Sequence, residues 1–168
     1  MIKRTLIRIL FLTLLVLTFI QIFNFSNENG NKSKSTSEKF ARKIVNIFPY
    51  TKNLSNETKE KIVKKSQPII RKMAHFSIYT AVGIFIMSFI STYKIHLKYK
   101  FLISISVGLL YAISDEIHQR FIPERTSSVI DVGIDTCGVI FGIIIVLIII
   151  SVYKALTEKE DKIENEKN

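Results

Sequence analysis

The sequence predicts an all-α integral membrane protein, a four-helix bundle with an amphipathic basic segment between the first and second spans. Of its 168 residues, 48% are hydrophobic, although 24 basic and 14 acidic residues give the chain a formal charge of +10. The apolar and charged residues are separated into blocks, and a helix of about 20 apolar residues crosses the hydrocarbon core of a bilayer. A soluble helical bundle would keep a polar stripe along each helix, and the run 142–150 has none.

The composition also excludes several classes of protein. The apolar content is too high for a disordered basic tail, and the single cysteine, Cys137, excludes a disulfide scaffold. A soluble nucleic-acid binder would interleave its basic and apolar residues, so we expect no nucleic acid as a partner. The length favours one domain, residues 1–168.

Four apolar blocks predict the membrane spans. The first block carries Arg8 as its only charge, and basic residues precede it as in a signal peptide. No small-x-small cleavage site and no cysteine for lipid attachment follow, so we interpret this block as an uncleaved membrane helix. The third block is short, because only residues 101–114 precede its first charge, Asp115. The predicted spans are approximately residues 5–25, 72–93, 101–121 and 130–153.

A polar loop, residues 24–71, separates the first two spans and holds most of the excess charge. Its turn-rich start, 26–37, predicts a mobile stretch. Apolar residues at helical spacing then predict a basic amphipathic helix up to Phe48, capped by Thr36 or Ser37. We expect this helix to lie in the membrane interface against anionic headgroups, and a solvated charged loop is the alternative.

The charge distribution also predicts the orientation in the membrane. The short loop 93–100 and the N-terminus are basic, which favours the cytoplasmic side for both. Both termini are then cytoplasmic, and the long loop 24–71, which obeys this rule poorly, lies outside. The tail, 154–168, alternates acidic and basic residues and predicts a solvated or frayed end.

Polar residues collect where the spans meet one face of the membrane. Because four helices cross in alternation, the start of the second span, the end of the third and the start of the fourth share a face in either orientation. Ionisable groups at membrane depth cost roughly 2.5–3.5 kcal/mol each on insertion scales, so they face inward and pair. The predicted cluster contains Arg71, Lys72, His75, Tyr79, Asp115, Glu116, His118, Gln119, Arg125, Ser128, Asp131 and Asp135.

Helical spacing places parts of this cluster on common stripes. Arg71, His75 and Tyr79 are separated by four residues each and therefore share one face of a helix. Gly138 and Gly142 form a small-xxx-small pair, which predicts close packing against a neighbouring helix. The cluster is interpreted either as salt bridges that fix the helix order or as a polar site for a headgroup or solute.

The sequence contains no diagnostic motif for a cofactor or a reaction, so we predict no cofactor and favour a non-enzymatic function. A metal site is the first alternative, because imidazole nitrogens and carboxylate oxygens suit a divalent ion. Its candidate ligands are His75, Asp115, His118, and Asp131 or Asp135. The second alternative is a side chain acting as general base, although no G-x-S-x-G, P-loop or catalytic-triad signature occurs.

Two stretches of the chain resemble the signatures of the VanZ-like family of bacterial membrane proteins. Residues 71–76 with Tyr79 resemble the signature of the family's second helix. The second stretch resembles the family's other signature. It comprises residues 111–119, 121–123, Arg125, Ser127 or Ser128, Asp131, Val132, Asp135 and Gly138. Glu124 departs from the pattern, because the family usually has glycine there, and asparagine is also common at the position of Asp135. The resemblance covers roughly residues 5–153.

The resemblance implies a multi-pass protein of the bacterial cytoplasmic membrane. The named member of this family is associated with resistance to teicoplanin, a glycopeptide antibiotic that acts outside the cell, which implies that the polar cluster faces outward. We therefore expect an anionic lipid or lipid-linked cell-wall component as ligand, bound by Arg71, Lys72 and Arg125. An intramembrane enzyme acting on a lipid and a structural protein are the alternatives, and the oligomeric state is not predicted.

Overall fold

The computed structural model describes residues 2–166, and it confirms the prediction of an all-helical membrane protein. Within that range there are five α-helices, one short 3₁₀ turn at Pro49–Thr51 and no strand. The helices are α1 (Ile2–Ser26), α2 (Gly30–Ile47), α3 (Asn56–Ser91), α4 (Leu97–Gln119) and α5 (Val129–Glu166). Helices α1, α3, α4 and α5 are long and apolar enough to cross a membrane.

Helix α2 begins at Gly30, earlier than the predicted caps Thr36 and Ser37. The side chain of Asn29 accepts a hydrogen bond of 2.8 Å from the backbone N–H of Asn31 and so caps the helix. The stretch 26–37, predicted as mobile, is therefore mostly helical, and only a short turn separates α1 from α2.

Helix α3 also begins far inside the predicted polar loop 24–71. It runs without a break from Asn56 through Pro68 into the second span. A helix of 36 residues is about 54 Å long at roughly 1.5 Å per residue, whereas the hydrocarbon core is about 30 Å thick. The first turns of α3 therefore extend beyond the bilayer, on the side where α2 lies. Helix α5 similarly continues to Glu166, so the predicted tail is helical as far as the structure describes it.

Helix α2 packs against the outer part of α3, and the two form a helical hairpin. Ala41 and Val45 of α2 and Val63 of α3 are buried together. Arg42 forms ion pairs with Glu38 in its own helix and with Glu60 of α3. The basic amphipathic segment is therefore a packed element and not the solvated loop that was the alternative.

The central contact of the bundle joins α3 and α5, with α1 and α4 packed around it. The backbones of the two helices approach closely at glycines on both sides. A Cβ atom at Gly83 of α3 would overlap the carbonyl group of Val139. A Cβ atom at Gly138 or Gly142 of α5 would overlap the carbonyl group of Phe76 or Thr80, respectively.

At the end of the bundle where α1 begins, Arg8 connects α1 to the turn between α3 and α4. Its guanidinium donates hydrogen bonds to the side chain and the carbonyl group of Thr92, at 3.0 and 3.2 Å, and lies 4.0 Å from the centre of the Tyr93 ring. The start of α1 and the turn between α3 and α4 therefore share one end of the bundle. The polar residues of the predicted cluster lie at the other end.

We predict that Gly142→Ala destabilises the bundle, because the new methyl group cannot fit between α5 and the carbonyl group of Thr80. Overpacking of this kind costs about 1–3 kcal/mol, so thermal unfolding in detergent, followed by circular dichroism, should show a lower midpoint. Gly133→Ala is the matched control, because a Cβ atom at Gly133 meets nothing within 4 Å. It should be neutral or stabilising by roughly 0.5–1 kcal/mol, and equal midpoints for the two variants would contradict the close contact.

Candidate functional site

The candidate site lies at the end of the bundle where α1 ends, α4 ends and α5 begins. Helix α3 passes this point within its length and contributes Arg71, Lys72, His75 and Tyr79. The structure thus brings residues from four separate elements together, as helices that cross in alternation require.

Gln119 and Arg125 connect these elements. Gln119 is buried in the last turn of α4 and donates to the hydroxyl group of Ser26 at 3.3 Å and to the carboxylate of Asp115 at 3.0 Å. Arg125 donates to the side-chain oxygen of Gln119 at 3.2 Å, to the carbonyl oxygen of Glu28 at 3.1 Å and to that of Phe25. Arg125 therefore ties the end of α1 to the loop between α4 and α5.

Two contacts between ionisable side chains link α3 to α5. The amino group of Lys72 lies 2.7 Å from the carboxylate of Asp131. One turn further into the membrane, Nδ1 of His75 lies 3.7 Å from the carboxylate of Asp135, which is fully buried. This spacing follows from helix geometry, since Asp131 and Asp135 are one turn apart on α5 and face the same neighbour.

Glu116 and Ser128 fix the start of α5. The carboxylate of Glu116 accepts a hydrogen bond of 2.9 Å from the backbone N–H of Ser128, and the hydroxyl group of Ser128 accepts one of 3.1 Å from the N–H of Ile130. Ser128 thereby caps the helix, and a carboxylate near a helix N-terminus is favoured by the helix dipole. Both residues thus position α5 at the site.

A group of potential metal ligands lies at the centre of the site. The ligand atoms of His75, Asp115 and Asp135 all lie within 4.8 Å of one another. Both carboxylate oxygens of Asp135 and the hydroxyl group of Tyr79 are buried and make no hydrogen bond with any described residue. Such buried polar atoms are costly in a low-dielectric site.

His118 and Asp131, which were also candidate metal ligands, are not part of this group. The ring of His118 stacks on Phe23 of α1, with 4.9 Å between the ring centres. The carboxylate of Asp131 forms an ion pair with Lys72. Arg71 makes no hydrogen bond or ion pair within the part of the chain that the structure describes, and its side chain is partly exposed.

Two cavities meet at this site. The smaller one, of about 20 Å³, is lined by polar side chains, including His75, Glu116 and Asp135. The larger one is a groove of about 660 Å³ between α1, α2 and α3. Its walls are mostly apolar, and Arg71, His75 and Arg125 line it together with residues from all three helices. Arg71, His75 and Arg125 also line the smaller cavity.

Sequence reasoning missed part of this site. Ser26 is completely buried and is bonded by Gln119, and the carbonyl groups of Phe25 and Glu28 accept from Arg125. A single serine after an apolar run and two backbone carbonyl groups carry no signal in a sequence, since only the fold makes them partners of residues about 100 positions away.

The turn before Arg125 depends on an unusual backbone conformation. Glu124 has φ of 60°, a left-handed conformation that favours glycine. The adjacent Pro123 accepts a hydrogen bond of 3.1 Å from the N–H of Gly30, and a Cβ atom at Gly30 would overlap the carbonyl group of Glu124. The loop between α4 and α5 therefore holds the start of α2 beside the site.

The four membrane-crossing helices and the polar cluster at one end of them define a multi-pass helical membrane protein with a buried, charged site. The model of the VanZ/LLP1 family matches residues 11–150, which is most of the chain. The chain belongs to this family, as the two sequence signatures predicted. A search of curated proteins and a search of solved structures found no match.

We predict that Arg125→Lys destabilises the fold, because one ammonium group cannot reach all three acceptors of the guanidinium. Losing one hydrogen bond to a charged group costs about 1.5–3 kcal/mol, so the thermal midpoint in detergent should fall. Arg120→Lys serves as control, since the exposed side chain of Arg120 donates, among the described residues, only to the hydroxyl group of Ser127. A midpoint for Arg125→Lys equal to that of the control would show that Arg125 does not hold the loops together.

Proposed function

We propose that this protein binds an anionic lipid, or a lipid-linked component of the bacterial cell wall, at one face of the membrane. The phosphate of the headgroup lies at Arg71 and Arg125, and an acyl chain occupies the groove between α1, α2 and α3. The observation that carries this proposal is the groove itself, a mostly apolar cleft lined by two arginines that form no ion pair with any described residue.

The groove suits a hydrocarbon chain. Its walls include Phe25 of α1, Phe40 and Ile44 of α2, and Met73 and Ile78 of α3. Helix α2 packs on α3 and makes little contact with α1, so an open cleft remains between them. Pockets of roughly 300–1,000 Å³ with apolar walls and a few polar groups at one end are typical of small-ligand sites.

The two arginines favour an anion at the end of the groove. All hydrogen-bond acceptors of Arg125 are uncharged, and Arg71 has none among the described residues. Burial lowers the pKa of Arg125 below its ordinary value, and the nearby charge of Arg71 lowers it further. A phosphate would compensate both cations, and guanidinium groups bind phosphate with paired hydrogen bonds.

Lys72 was expected to bind the ligand with these arginines, but its charge is already compensated by Asp131 at 2.7 Å. Its role is therefore to hold α3 against α5 next to the site. The ligand-binding cations in this proposal are Arg71 and Arg125 alone.

The proposed orientation places the site and the hairpin of α2 and α3 outside the cell and both termini in the cytoplasm. The short basic turn between α3 and α4 supports it, because short loops with this composition favour the cytoplasmic side. A lipid-linked cell-wall component is exposed on the outer side, where glycopeptide antibiotics act. Binding such a component would alter its access to teicoplanin, which is the link to resistance that we propose.

A second candidate function is an intramembrane enzyme acting on the bound lipid. The pair of His75 and Asp135 favours it, since His75 lines both the groove and the small polar cavity. With Nδ1 facing Asp135, the other ring nitrogen of His75 could act as a general base towards a headgroup. Chemical analysis of the lipid after incubation with the protein separates the two functions, because an enzyme releases or exchanges the headgroup.

We predict that the purified protein binds fluorescent phosphatidylglycerol more tightly than phosphatidylcholine, measured by fluorescence anisotropy in detergent. Arg71→Gln should weaken binding of phosphatidylglycerol about ten- to a hundredfold, the loss expected for one charged hydrogen bond. Ala74→Phe should weaken binding of both lipids, because Ala74 lines the groove.

The control variants make the same kinds of change, loss of a cation and addition of a large side chain, at positions outside the groove. Lys98→Gln removes an exposed cation at the opposite end of the bundle, and Ile117→Phe adds bulk on the exposed face of α4. Both should bind the lipids like the unchanged protein. Equal binding of the two lipids, insensitive to Arg71→Gln and Ala74→Phe, would reject the proposed function.

We predict that expression of this protein raises teicoplanin resistance in a susceptible bacterium and that Arg71→Gln abolishes the increase. The readout is the minimal inhibitory concentration, compared at equal amounts of protein in the membrane fraction. Lys98→Gln should retain the increase. If the unchanged protein gives none, the link to teicoplanin is wrong, although lipid binding would stand on its own measurement.

A further inference from the structure

The centre of the polar cluster has an unbalanced arrangement of charges. Asp131 is paired with Lys72, and the carboxylate of Glu116 is bonded to the N–H of Ser128. Asp115 accepts a hydrogen bond from Gln119, but neither Asp115 nor Asp135 forms an ion pair with a lysine or arginine among the described residues. The ligand atoms of both lie within 4.8 Å of each other and of His75. Two adjacent carboxylates in a low-dielectric site repel each other unless a cation or a shared proton lies between them.

Asp135 is the strongest indication of a missing partner. It is fully buried near the start of α5, and neither carboxylate oxygen makes a hydrogen bond with a described residue. The ring nitrogen of His75 at 3.7 Å is too far away for one. Arg125 does not compensate Asp135, because its hydrogen bonds go to Gln119 and to two carbonyl groups.

We propose that His75, Asp115 and Asp135 bind one divalent cation of the Zn²⁺ or Mn²⁺ type. One imidazole nitrogen and two carboxylate oxygens are ligands that these ions accept. Metal–ligand distances of about 2.0–2.2 Å place ligand atoms roughly 3–4 Å apart, so small side-chain movements close the observed arrangement around an ion. The hydroxyl group of Tyr79, also buried without a partner, can accept a hydrogen bond from a water molecule on the ion.

The small polar cavity beside these ligands can hold one ion or one water molecule. Its volume is about 20 Å³, and His75 and Asp135 form part of its wall, whereas one water molecule needs roughly 10–15 Å³. Three protein ligands leave a coordination position open, which is typical of metal sites that bind a substrate or ligand. If the proposed lipid binding is correct, a phosphate oxygen of the headgroup takes this position, and that step alone rests on the proposed function.

The test uses the full-length protein in detergent, stripped with a chelator and dialysed against Zn²⁺ or Mn²⁺ without added lipid. Elemental analysis should find about one ion per chain, as expected for one mononuclear site. Asp135→Asn and His75→Gln should each weaken binding at least about tenfold, the loss typical even of residues that only orient metal ligands. Asp131→Asn is the matched control on the same face of α5, and it should retain the ion because Lys72 already holds that carboxylate.

Each outcome of this test decides the proposal. No bound ion in the unchanged protein overturns it and leaves a shared proton or a water molecule between the carboxylates, and this result does not depend on how any variant folds. Equal loss in Asp131→Asn and Asp135→Asn overturns the assignment of the three ligands. Variants are compared only where size-exclusion profiles and circular dichroism match those of the unchanged protein.

A second arm separates the metal site from lipid binding. Phosphatidylglycerol binding is measured for the stripped and the Zn²⁺- or Mn²⁺-loaded protein. Tighter binding to the loaded form supports coordination of the phosphate by the ion. Equal lipid binding with and without the ion overturns that step, and absence of lipid binding in both forms rejects the proposed function while the metal site is judged by the first arm.

Discussion

The close approach of α3 and α5 is the contact on which the rest of the structure depends. Inside a bilayer the surrounding lipid is as apolar as the helices, so association depends on close packing and on polar contacts. Gly83 on α3 and Gly138 and Gly142 on α5 remove the side chains that would hold the two backbones apart. This contact also sets the register that brings Lys72 to Asp131 and His75 to Asp135. The close packing of the two helices and the geometry of the polar site therefore both result from the alignment of α3 with α5.

The polar cluster combines two kinds of residue, which the contacts distinguish. Some members serve the fold: Glu116 holds the start of α5, and Lys72 pairs with Asp131. Arg125 binds the end of α1 as well, but among the described residues only through uncharged acceptors, so its charge stays available to a ligand. Within the part of the chain that the structure describes, Arg71 makes no hydrogen bond or ion pair, and the carboxylate of Asp135 accepts no hydrogen bond. A buried carboxylate such as Asp135 is costly without a partner, and the uncompensated charge of the partly exposed Arg71 favours an anion. These two residues therefore carry the proposals of metal and ligand binding. The interpretation as salt bridges that fix helix order thus applies to part of the cluster.

Much of the fold was predictable because the membrane imposes a simple rule on the sequence. Four apolar blocks became four helices of sufficient length, and the family resemblance was confirmed. The start of α2 and the continuous helix through Pro68 were not predicted. There the sequence is polar and turn-rich, and a local cap at Asn29 together with the tertiary packing of Ala41 on Val63 decides between loop and helix. Membership of Asp135 in the cluster was predictable from spacing, but the isolation of its carboxylate was not.

The sequence by itself determined the number of membrane helices, their alternation and the face at which the ionisable residues meet. The hydrophobic blocks suffice for this, since a bilayer admits ionisable groups only where they can pair or reach water. The tertiary structure alone decided which residues pair. It joined Arg125 to the end of α1, stacked the ring of His118 on Phe23, and left a groove between α1, α2 and α3. These features depend on how whole helices rotate and approach one another, which no local stretch of sequence specifies.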